Sequence, residues 1–324
     1  MSVRRLPSID PFTLISLCSD SIPQYMKELS TTHPEWPSFS SFFSPFLVIS
    51  QLKSEVLVIV VLAVLFTLLR YWVEGLVKVW MSDKQVLDKH TTKLPETVWK
   101  LLYYGLSWLF SLYLHIFVLD TLHDPLSMWD HWSADGPIHN GVLIVYATQT
   151  AFYLHSFYAT FFMDLWRQDS WVMIMHHFVA LALLMLSYSR NFVLAGALIF
   201  FAHDSSDAIL EITKLCVYLK RRKDGRFYPV LEKVGNAVLY SFAVTWLYCR
   251  IHWFISKVLY STLYGGTVLG PKNELSFGPL GVMLILILTL NLFWFNFIVR
   301  MVMRVWRTGE EPEDNREYEE KKRD

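Results

Sequence analysis

Seven segments of about twenty predominantly apolar residues dominate this chain and leave few choices of fold. Hydrophobic residues make up 53% of the 324 residues and charged residues only 18%. A bilayer core about 30 Å thick needs roughly 20 apolar residues of helix, in which every backbone polar group is satisfied internally. The sequence therefore predicts an all-α integral membrane protein with seven transmembrane helices, at residues 52–72, 99–119, 138–162, 170–188, 192–213, 234–262 and 279–303.

The lysines and arginines between these segments predict their orientation. The connections that would share a side with the C-terminus hold eighteen basic residues, and those on the other side hold five. Because basic connections stay on the cytosolic side, we expect a cytosolic C-terminus and a lumenal or external N-terminus. The first segment has no polar group in its middle, so we expect a lipid-facing anchor with no part in chemistry.

Composition also argues against several classes of protein. A net charge of zero does not favour nucleic-acid binding, which needs a basic surface. The cysteines at 18, 216 and 249 have no paired spacing, so they predict neither a disulfide framework nor a zinc site. The first twenty residues have only a broken apolar patch and no small-residue cleavage site, and they do not resemble a cleavable signal peptide.

Ionisable residues in three of the predicted spans fall at a similar depth. With a rise of 1.5 Å per residue, they lie roughly 10 to 16 Å from the cytosolic edge. An ionised group in hydrocarbon costs at least about 2.5 to 3.5 kcal/mol, so it persists only where it is paired, hydrated or used. The group consists of His155 in the third span, His176 and His177 in the fourth, and His203, Asp204 and Asp207 in the fifth.

Helical spacing divides this layer further. His203, Asp207 and Glu211 recur every four residues and share one face, whereas Asp204 points about 100° away. The alternatives are structural: a helix-to-helix hydrogen bond for His155, a buried ion pair for His203 with Asp207, and an interfacial charge near Lys214 for Glu211. Arg250 and His252 fall near the lumenal edge of the sixth span, where snorkelling and aromatic belts are the ordinary explanation.

Two kinds of site fit histidines and carboxylates at one depth. In the first, a histidine acts as a base or nucleophile and a carboxylate orients it. In the second, three histidines and an aspartate bind a metal ion that activates water. The histidine-rich arrays of membrane di-iron oxidases are not present in the sequence, which argues against a desaturase.

The stretch from Met163 to Tyr218, with a double histidine followed by HDxxDxxLExxK, resembles the Lag1 motif of ceramide synthases within the TLC domain. Segments such as "LPETVWKLLYYGLSW", "FYLHSFYATFF" and "NLFWFNFIV" extend the resemblance over roughly residues 93 to 307. The resemblance implies a TLC-type helical barrel or bundle with an intramembrane cavity. It also implies N-acylation of a sphingoid base by a fatty acyl-CoA in the endoplasmic reticulum membrane.

The resemblance places the family's functional histidines at His176 and His177 and its acidic pair at Asp204 and Asp207. His176 or His177 would deprotonate the amine or accept the acyl group, and Asp204 would bind the ammonium. His203 with Asp207 would orient the catalytic histidine or relay the proton. As further substrate-binding residues we expect His155 and, for the phosphates of coenzyme A, the basic run Lys220, Arg221, Arg222 and Lys223. The positive-inside rule alone also explains that run.

No cofactor or metal is expected, and acyl-CoA is a co-substrate. The expected partners are a membrane-borne sphingoid base and fatty acyl-CoA, with a homodimer or a heterodimer of related synthases left open. Many family members have a homeobox-like insert between the first two spans, where this chain has about 26 residues. In this respect the chain resembles the family branch that lacks the insert, whose better-known members favour stearoyl-CoA. The tail also lacks the family's serines within an acidic motif, which argues against phosphorylation there.

These observations divide the chain into five predicted parts and leave two other functions open. The alternatives are a non-enzymatic TLC protein that senses or handles lipids, and a zinc-dependent intramembrane amidase that hydrolyses ceramide. The predicted parts are a lumenal arm at 1–51, a transmembrane anchor at 52–72, a cytosolic linker at 73–98, the TLC domain at 99–307 and a charged cytosolic tail at 308–324.

Overall fold

The computed structural model describes residues 9–33, 35, 38–51, 53–119, 121–130, 132–272 and 274–309. This part of the chain is helical, and its extended pairings are two isolated bridges. The all-α fold class is therefore confirmed. The helices are α1 Pro11–Thr32, α2 Phe39–Phe43, α3 Lys53–Asp83, α4 Lys93–Phe117, α5 Asn140–Phe162, α6 Ser170–Ser189, α7 Val193–Leu219, α8 Pro229–Thr245, a π-helix Trp246–Gly265 continued by α9 Gly266–Val268, and α10 Phe277–Thr308, with short 3₁₀ turns at Ser44–Gln51, Asp88–His90 and Ser127–Trp129.

Each predicted span coincides with one of the long helices, α3 to α7, α8 with its π continuation, and α10. Among the described residues, four helices are long and apolar enough to cross a membrane: Ser54–Asp83, Ser170–Ser189, Val193–Leu219 and Phe277–Thr308. The other three predicted spans are not in this set, so their crossing stays a prediction.

The connections gather at two ends of the bundle. At one end, Lys223 donates its backbone N–H to Gln85 (2.8 Å), which ties the connection after α7 to the one after α3. We call this the basic end. At the opposite end, Asn191 donates its side-chain amide to the carbonyls of Ser133 (2.7 Å) and Gly136 (3.1 Å). The connections after α3 and after α7 thus lie at one end of the bundle, and those before α5 and after α6 lie at the other. This arrangement is expected if successive spans alternate in direction.

Close approach of α5 and α7 shapes the centre of the bundle. A Cβ atom on Gly196 would collide with the hydroxyl of Tyr146, so only glycine permits this contact. The Tyr146 hydroxyl lies 3.1 Å from that of Ser187 on α6. Helices α5, α6 and α7 therefore pack closely against one another beside the candidate site.

The first long helix extends beyond the predicted anchor. It continues to Asp83, eleven residues past the predicted end of the anchor, so much of the predicted linker is helical. Its Arg70 is 2% exposed and binds Glu74 (2.7 Å) and Asp164 (2.6 Å), and Lys100 on α4 also binds Asp164 (3.1 Å). The expectation of a lipid-facing anchor with no part in chemistry stays a prediction: the most apolar part of the helix is largely exposed, and Arg70 adds a buried ion pair that the expectation did not include.

We expect Asp164→Asn to lower the free energy of unfolding by about 3 kcal/mol, because it leaves Arg70 buried with only Glu74. Burial would raise the pKa of the Asp164 carboxyl, but the charges of Lys100 and Arg70 outweigh it and hold that pKa below its ordinary value. This stabilisation is therefore complete above the ordinary aspartate pKa and is lost as the pH falls through the lowered one.

The measurement is detergent-solubilised unfolding at neutral pH, followed by circular dichroism. The exposed pair of Asp83 with Lys84 supplies the control, since Asp83→Asn should change little. Equal stability of the two variants would contradict a structural role for the network at Arg70.

The predicted lumenal arm contains a full helix, α1. Asp10 caps it by accepting hydrogen bonds from the backbone N–H groups of Phe12 (2.9 Å) and Thr13 (3.0 Å), and Pro11 occupies the first helical turn. Its buried Tyr25 donates a hydrogen bond to the carbonyl of Glu274 (2.7 Å) at the opposite end of the bundle. Residues 1–8 of this arm and residues 310–324 of the predicted tail lie outside the described residues.

Candidate active site

The double histidine lies on α6, beside a mainly apolar cavity. His176 and His177 are both buried, with ring centroids 5.8 Å apart. The ring of Tyr153 on α5 lies 6.0 Å from His176 and 5.9 Å from His177. Because successive helical side chains diverge by about 100°, the two imidazoles have different surroundings, and His176 is the one that lines the cavity.

Trp294 on α10 holds His176 from the other side. The two rings meet edge to face with centroids 5.3 Å apart. The Trp294 indole N–H donates to Asp169 at the start of α6 (2.9 Å), which fixes the orientation of the indole. The imidazole of His176 is thus clamped between two aromatic rings, and its Nδ1 has no hydrogen-bond partner among the described residues.

The cavity has a volume of about 580 Å³ and lies mainly between α5, α6, α7 and α10. His176, His203 and Tyr153 line its inner part. Its other end, toward the side opposite the basic end, is lined by aromatic side chains from three different segments, namely Trp129, Trp132, Phe192 and Phe277. An apolar space with a few polar groups at one end suits a long alkyl chain whose polar end lies at the histidines.

His203 is held in one tautomer. Its Nδ1–H donates to the carbonyl of Ile199 (2.9 Å), which can only accept. Its Nε2 is left as an acceptor, 3.4 Å from the side-chain amide nitrogen of Asn291. His203 and Asp207 share a helix face but bind different partners, so their joint role in orienting the catalytic histidine or relaying a proton stays a prediction.

The two aspartates of α7 have opposite electrostatic settings. Asp207 forms an ion pair with Arg250 (2.6 Å). Asp204 accepts hydrogen bonds from the neutral side chains of Ser107 on α4 and Gln149 on α5, both at 2.6 Å. The predicted divergence of the two carboxylates is thus realised, and only Asp207 has a cation as its direct partner among the described residues.

Arg250 belongs to this site, contrary to the expectation that it snorkels near an edge. It is buried, its Nε donates to Ser206 (2.6 Å), its Nη2 also contacts the carbonyl of His203 (3.1 Å), and its guanidinium lies 4.2 Å from the Trp246 ring centroid. The expectation was wrong: residue 250 lies near the middle of the helix that runs from 229 to 268, as it does of the predicted span 234–262, and its guanidinium binds Asp207 on α7. Arg250 also lies in the π-helical stretch, and such stretches often occur at functional sites.

His155 is separated from the cavity. Its Nδ1 lies 2.9 Å from the hydroxyl of Thr67 on α3, and its ring meets Trp99 edge to face at 5.7 Å. It is not among the cavity-lining residues. This arrangement matches the structural alternative of a helix-to-helix contact, and a direct substrate contact for His155 has no geometric support.

The basic run after α7 is partly neutralised within the protein. Lys220 lies 3.5 Å from Glu232 and Lys223 lies 2.6 Å from Asp88. Arg221 sits over the ring of Phe227 (5.2 Å), and Arg222 sits between the rings of Trp80 and Tyr228 (5.7 Å to each). This run lies at the basic end of the bundle, and the side chains of Arg221 and Lys223 are exposed.

Glu211 and His252 have the surroundings that their structural interpretations predicted. Glu211 accepts from Lys214 (2.8 Å), although it is buried. His252 is exposed beside Tyr248 (5.6 Å). Among the described residues, no three His, Cys, Asp or Glu side chains lie close enough together to hold a metal ion.

Sequence reasoning missed several polar residues that complete the site. They share one signal: each is a polar or hydrogen-bonding side chain inside an otherwise apolar helix, where such residues usually have a partner or a use. Gln149 and Asn291, for example, are fully buried. The missed residues are Ser107, Gln149, Tyr153, Ser206, Asn291 and Trp294.

Comparisons with known proteins point in one direction. A family model described as "TLC domain" matches residues 93–300. The chain is 37% identical to ceramide synthase 1 of Homo sapiens over 235 residues, which are 71% of this chain and 66% of that protein. It is 28% identical to ceramide synthase LOH1 of Arabidopsis thaliana over 232 residues, which are 69% of this chain and 72% of that one. The match thus spans slightly less than two thirds of the human relative.

Proposed function

The chain belongs to the TLC-domain family, and on that premise we propose that it is an acyl-CoA-dependent N-acyltransferase that forms ceramide or dihydroceramide from a sphingoid base. The family match confirms the resemblance found in the Lag1-like motif. The names of the relatives, ceramide synthases from animals and plants, support the reaction. The observation that carries the proposal is His176 at the inner end of an apolar cavity of about 580 Å³.

In this proposal the acyl chain fills the cavity, with its thioester carbonyl beside His176. An uncharged amine attacks that carbonyl, a C–N bond forms, the C–S bond breaks, and the thiolate of coenzyme A leaves. His176 either takes the proton from the incoming ammonium or first accepts the acyl group itself. Tyr153, which also lines the cavity, would donate a hydrogen bond to the oxygen on which negative charge develops.

The remaining residues act through their neighbours. His177 contacts Tyr153 outside the cavity lining and would orient it. Arg250 neutralises Asp207 and contacts the carbonyl of His203, so it would hold this turn of α7 in place. Residence in the endoplasmic reticulum membrane, a lumenal N-terminus, a preference for stearoyl-CoA and dimer formation belong to the same proposal.

The test is an N-acylation assay on purified protein in lipid nanodiscs, with sphinganine and acyl-CoAs of several chain lengths. We expect an amide product and release of one coenzyme A per amide. A chelator control separates the amidase alternative: lost activity that zinc restores would contradict a metal-free transfer. A folded protein that binds lipid but forms no amide would favour the non-enzymatic TLC alternative.

We expect the double variant Arg221→Ala with Lys223→Ala to raise KM for acyl-CoA several-fold without changing KM for sphinganine. Coenzyme A is polyanionic, and these two exposed cations lie at the basic end of the bundle. The effect should shrink as ionic strength rises. Lys272→Ala, which removes an exposed cation at the opposite end, is the matched control. An unchanged KM for acyl-CoA would indicate that this basic run only sets the orientation of the protein in the membrane.

A further inference from the structure

Tyr25 on α1 connects the amino-terminal segment to the end of the cavity opposite the histidines, which we call the far end. Its side chain is buried, and its ring meets the cavity-lining Phe277 edge to face with centroids 5.8 Å apart. Its hydroxyl donates to the carbonyl of Glu274 (2.7 Å) and accepts from the backbone N–H of the same residue (3.1 Å). One side chain therefore holds both a ring that lines the cavity and the backbone just before that ring.

Glu274 extends this connection to a second part of the far end. Its carboxylate accepts a hydrogen bond from the backbone N–H of Ser276 (3.0 Å) and lies 3.5 Å from Nε of Arg190, in the turn after α6. That turn leads into Phe192, whose ring stacks on Phe277 with centroids 5.2 Å apart. Two aromatic residues that line the far end are thus tied to α1.

The Phe277 ring has little room to move while Tyr25 is in place. A Cβ atom on Gly266 would lie 2.7 Å from the ring, so the backbone of α9 touches it directly. Trp129 meets the ring edge to face at 5.7 Å, and Phe192 covers one of its faces. Protein interiors are close-packed, so removal of the Tyr25 ring would leave a space into which Phe277 can move.

The far end lies at the distance that the terminal part of a bound acyl chain would reach. His176 and Ser187 both line the cavity and are eleven residues apart on α6, about 16 Å along the helix. Each of the two lipid layers in a bilayer core about 30 Å thick is about 15 Å deep. An acyl chain of ordinary membrane length, with its thioester at His176, would therefore end near Phe192 and Phe277.

We propose that Tyr25 is a specificity-determining residue that limits the length of the acyl chain, because it holds Phe277 at the far end of the cavity. This inference rests on the proposed N-acyltransferase function and adds to it a determinant of chain length in α1, outside the residues 93–300 that match the TLC domain. A purely structural role for Tyr25 would affect stability and would lower the activity with every acyl-CoA alike.

The test measures kcat/KM for a series of saturated acyl-CoAs with sphinganine as the amine, on purified protein in lipid nanodiscs. The readout is the ratio of kcat/KM for the acyl-CoA two carbons longer than the best wild-type substrate to kcat/KM for that best substrate. In Tyr25→Leu we expect this ratio to rise about tenfold, because one methylene in a hydrophobic pocket changes kcat/KM by about tenfold or more. KM for sphinganine should stay unchanged.

Tyr25→Phe gives a second measurement if Tyr25→Leu does not fold. This variant keeps the ring but loses both hydrogen bonds to Glu274, so the ratio should rise by about threefold. Phe12→Ala is the matched control, because Phe12 lies on the exposed face of the same helix, and it should keep the wild-type ratio.

A wild-type ratio in the folded Tyr25 variants would overturn the inference. A changed preference among sphingoid bases of different chain length, with the acyl-CoA ratio unchanged, would also overturn it. Failure of the wild-type protein to acylate any amine would instead overturn the proposed function itself.

Discussion

Replacing His176 with alanine is expected to lower the rate of N-acylation by about 100-fold to 10,000-fold, the usual contribution of a positioned acid–base group. His176 is the member of the double histidine that lines the cavity, and its Nδ1 has no competing partner among the described residues. The rate constant should fall far more than KM for either substrate changes, because the imidazole acts on the reacting atoms rather than on the alkyl chains.

The controls separate chemistry from folding. His252→Ala removes an exposed histidine away from the cavity and should leave the rate near that of the wild type. His177→Ala should cause a smaller loss than His176→Ala, since His177 acts through Tyr153. Equal losses for His176→Ala and His252→Ala would contradict the assigned role.

Replacing Arg250 with methionine is expected to lower the free energy of unfolding by about 3 kcal/mol or more. The change leaves the Asp207 carboxylate in a largely buried position without its cation. It also removes the hydrogen bond to Ser206 and the contact with the Trp246 ring. Because Arg250 also contacts the carbonyl of His203, activity should fall along with stability.

The double variant Arg250→Met with Asp207→Asn provides the decisive comparison, measured by unfolding in mixed detergent micelles. Removing the orphaned charge should restore most of the stability that the single variant loses. A double variant that is no more stable than Arg250→Met alone would show that the arginine stabilises the protein through its other contacts. The ion pair would then not be the reason for its burial.

The positions of the helices were predictable because a run of apolar residues has a required length and a required backbone conformation. The partners of the buried side chains were much less predictable from the sequence. Arg250 was placed near an edge although residue 250 falls near the middle of both the predicted span, 234–262, and the observed helix, which runs from 229 to 268. Helical spacing correctly placed His203 and Asp207 on one face, yet it could not show that Arg250 from another helix binds Asp207.

The double histidine shows the same limit. Successive side chains on a helix diverge by about 100°, so at most one of the two imidazoles can face the cavity directly, and in the structure His176 is the one that lines it. That choice depends on how α6 is rotated against α5 and α10, where Tyr153 and Trp294 meet the ring. Rotation of a helix about its axis is set by packing between segments far apart in the chain, which one sequence does not reveal.

The most direct test of the account is amide formation from sphinganine and a fatty acyl-CoA by the purified protein, with coenzyme A release recorded in the same reaction. The account predicts equal amounts of amide and coenzyme A from the wild-type protein and from His252→Ala, and neither product above background from His176→Ala. A folded protein that forms no amide with any acyl-CoA, or a His176→Ala variant that forms it at the wild-type rate, would contradict the account.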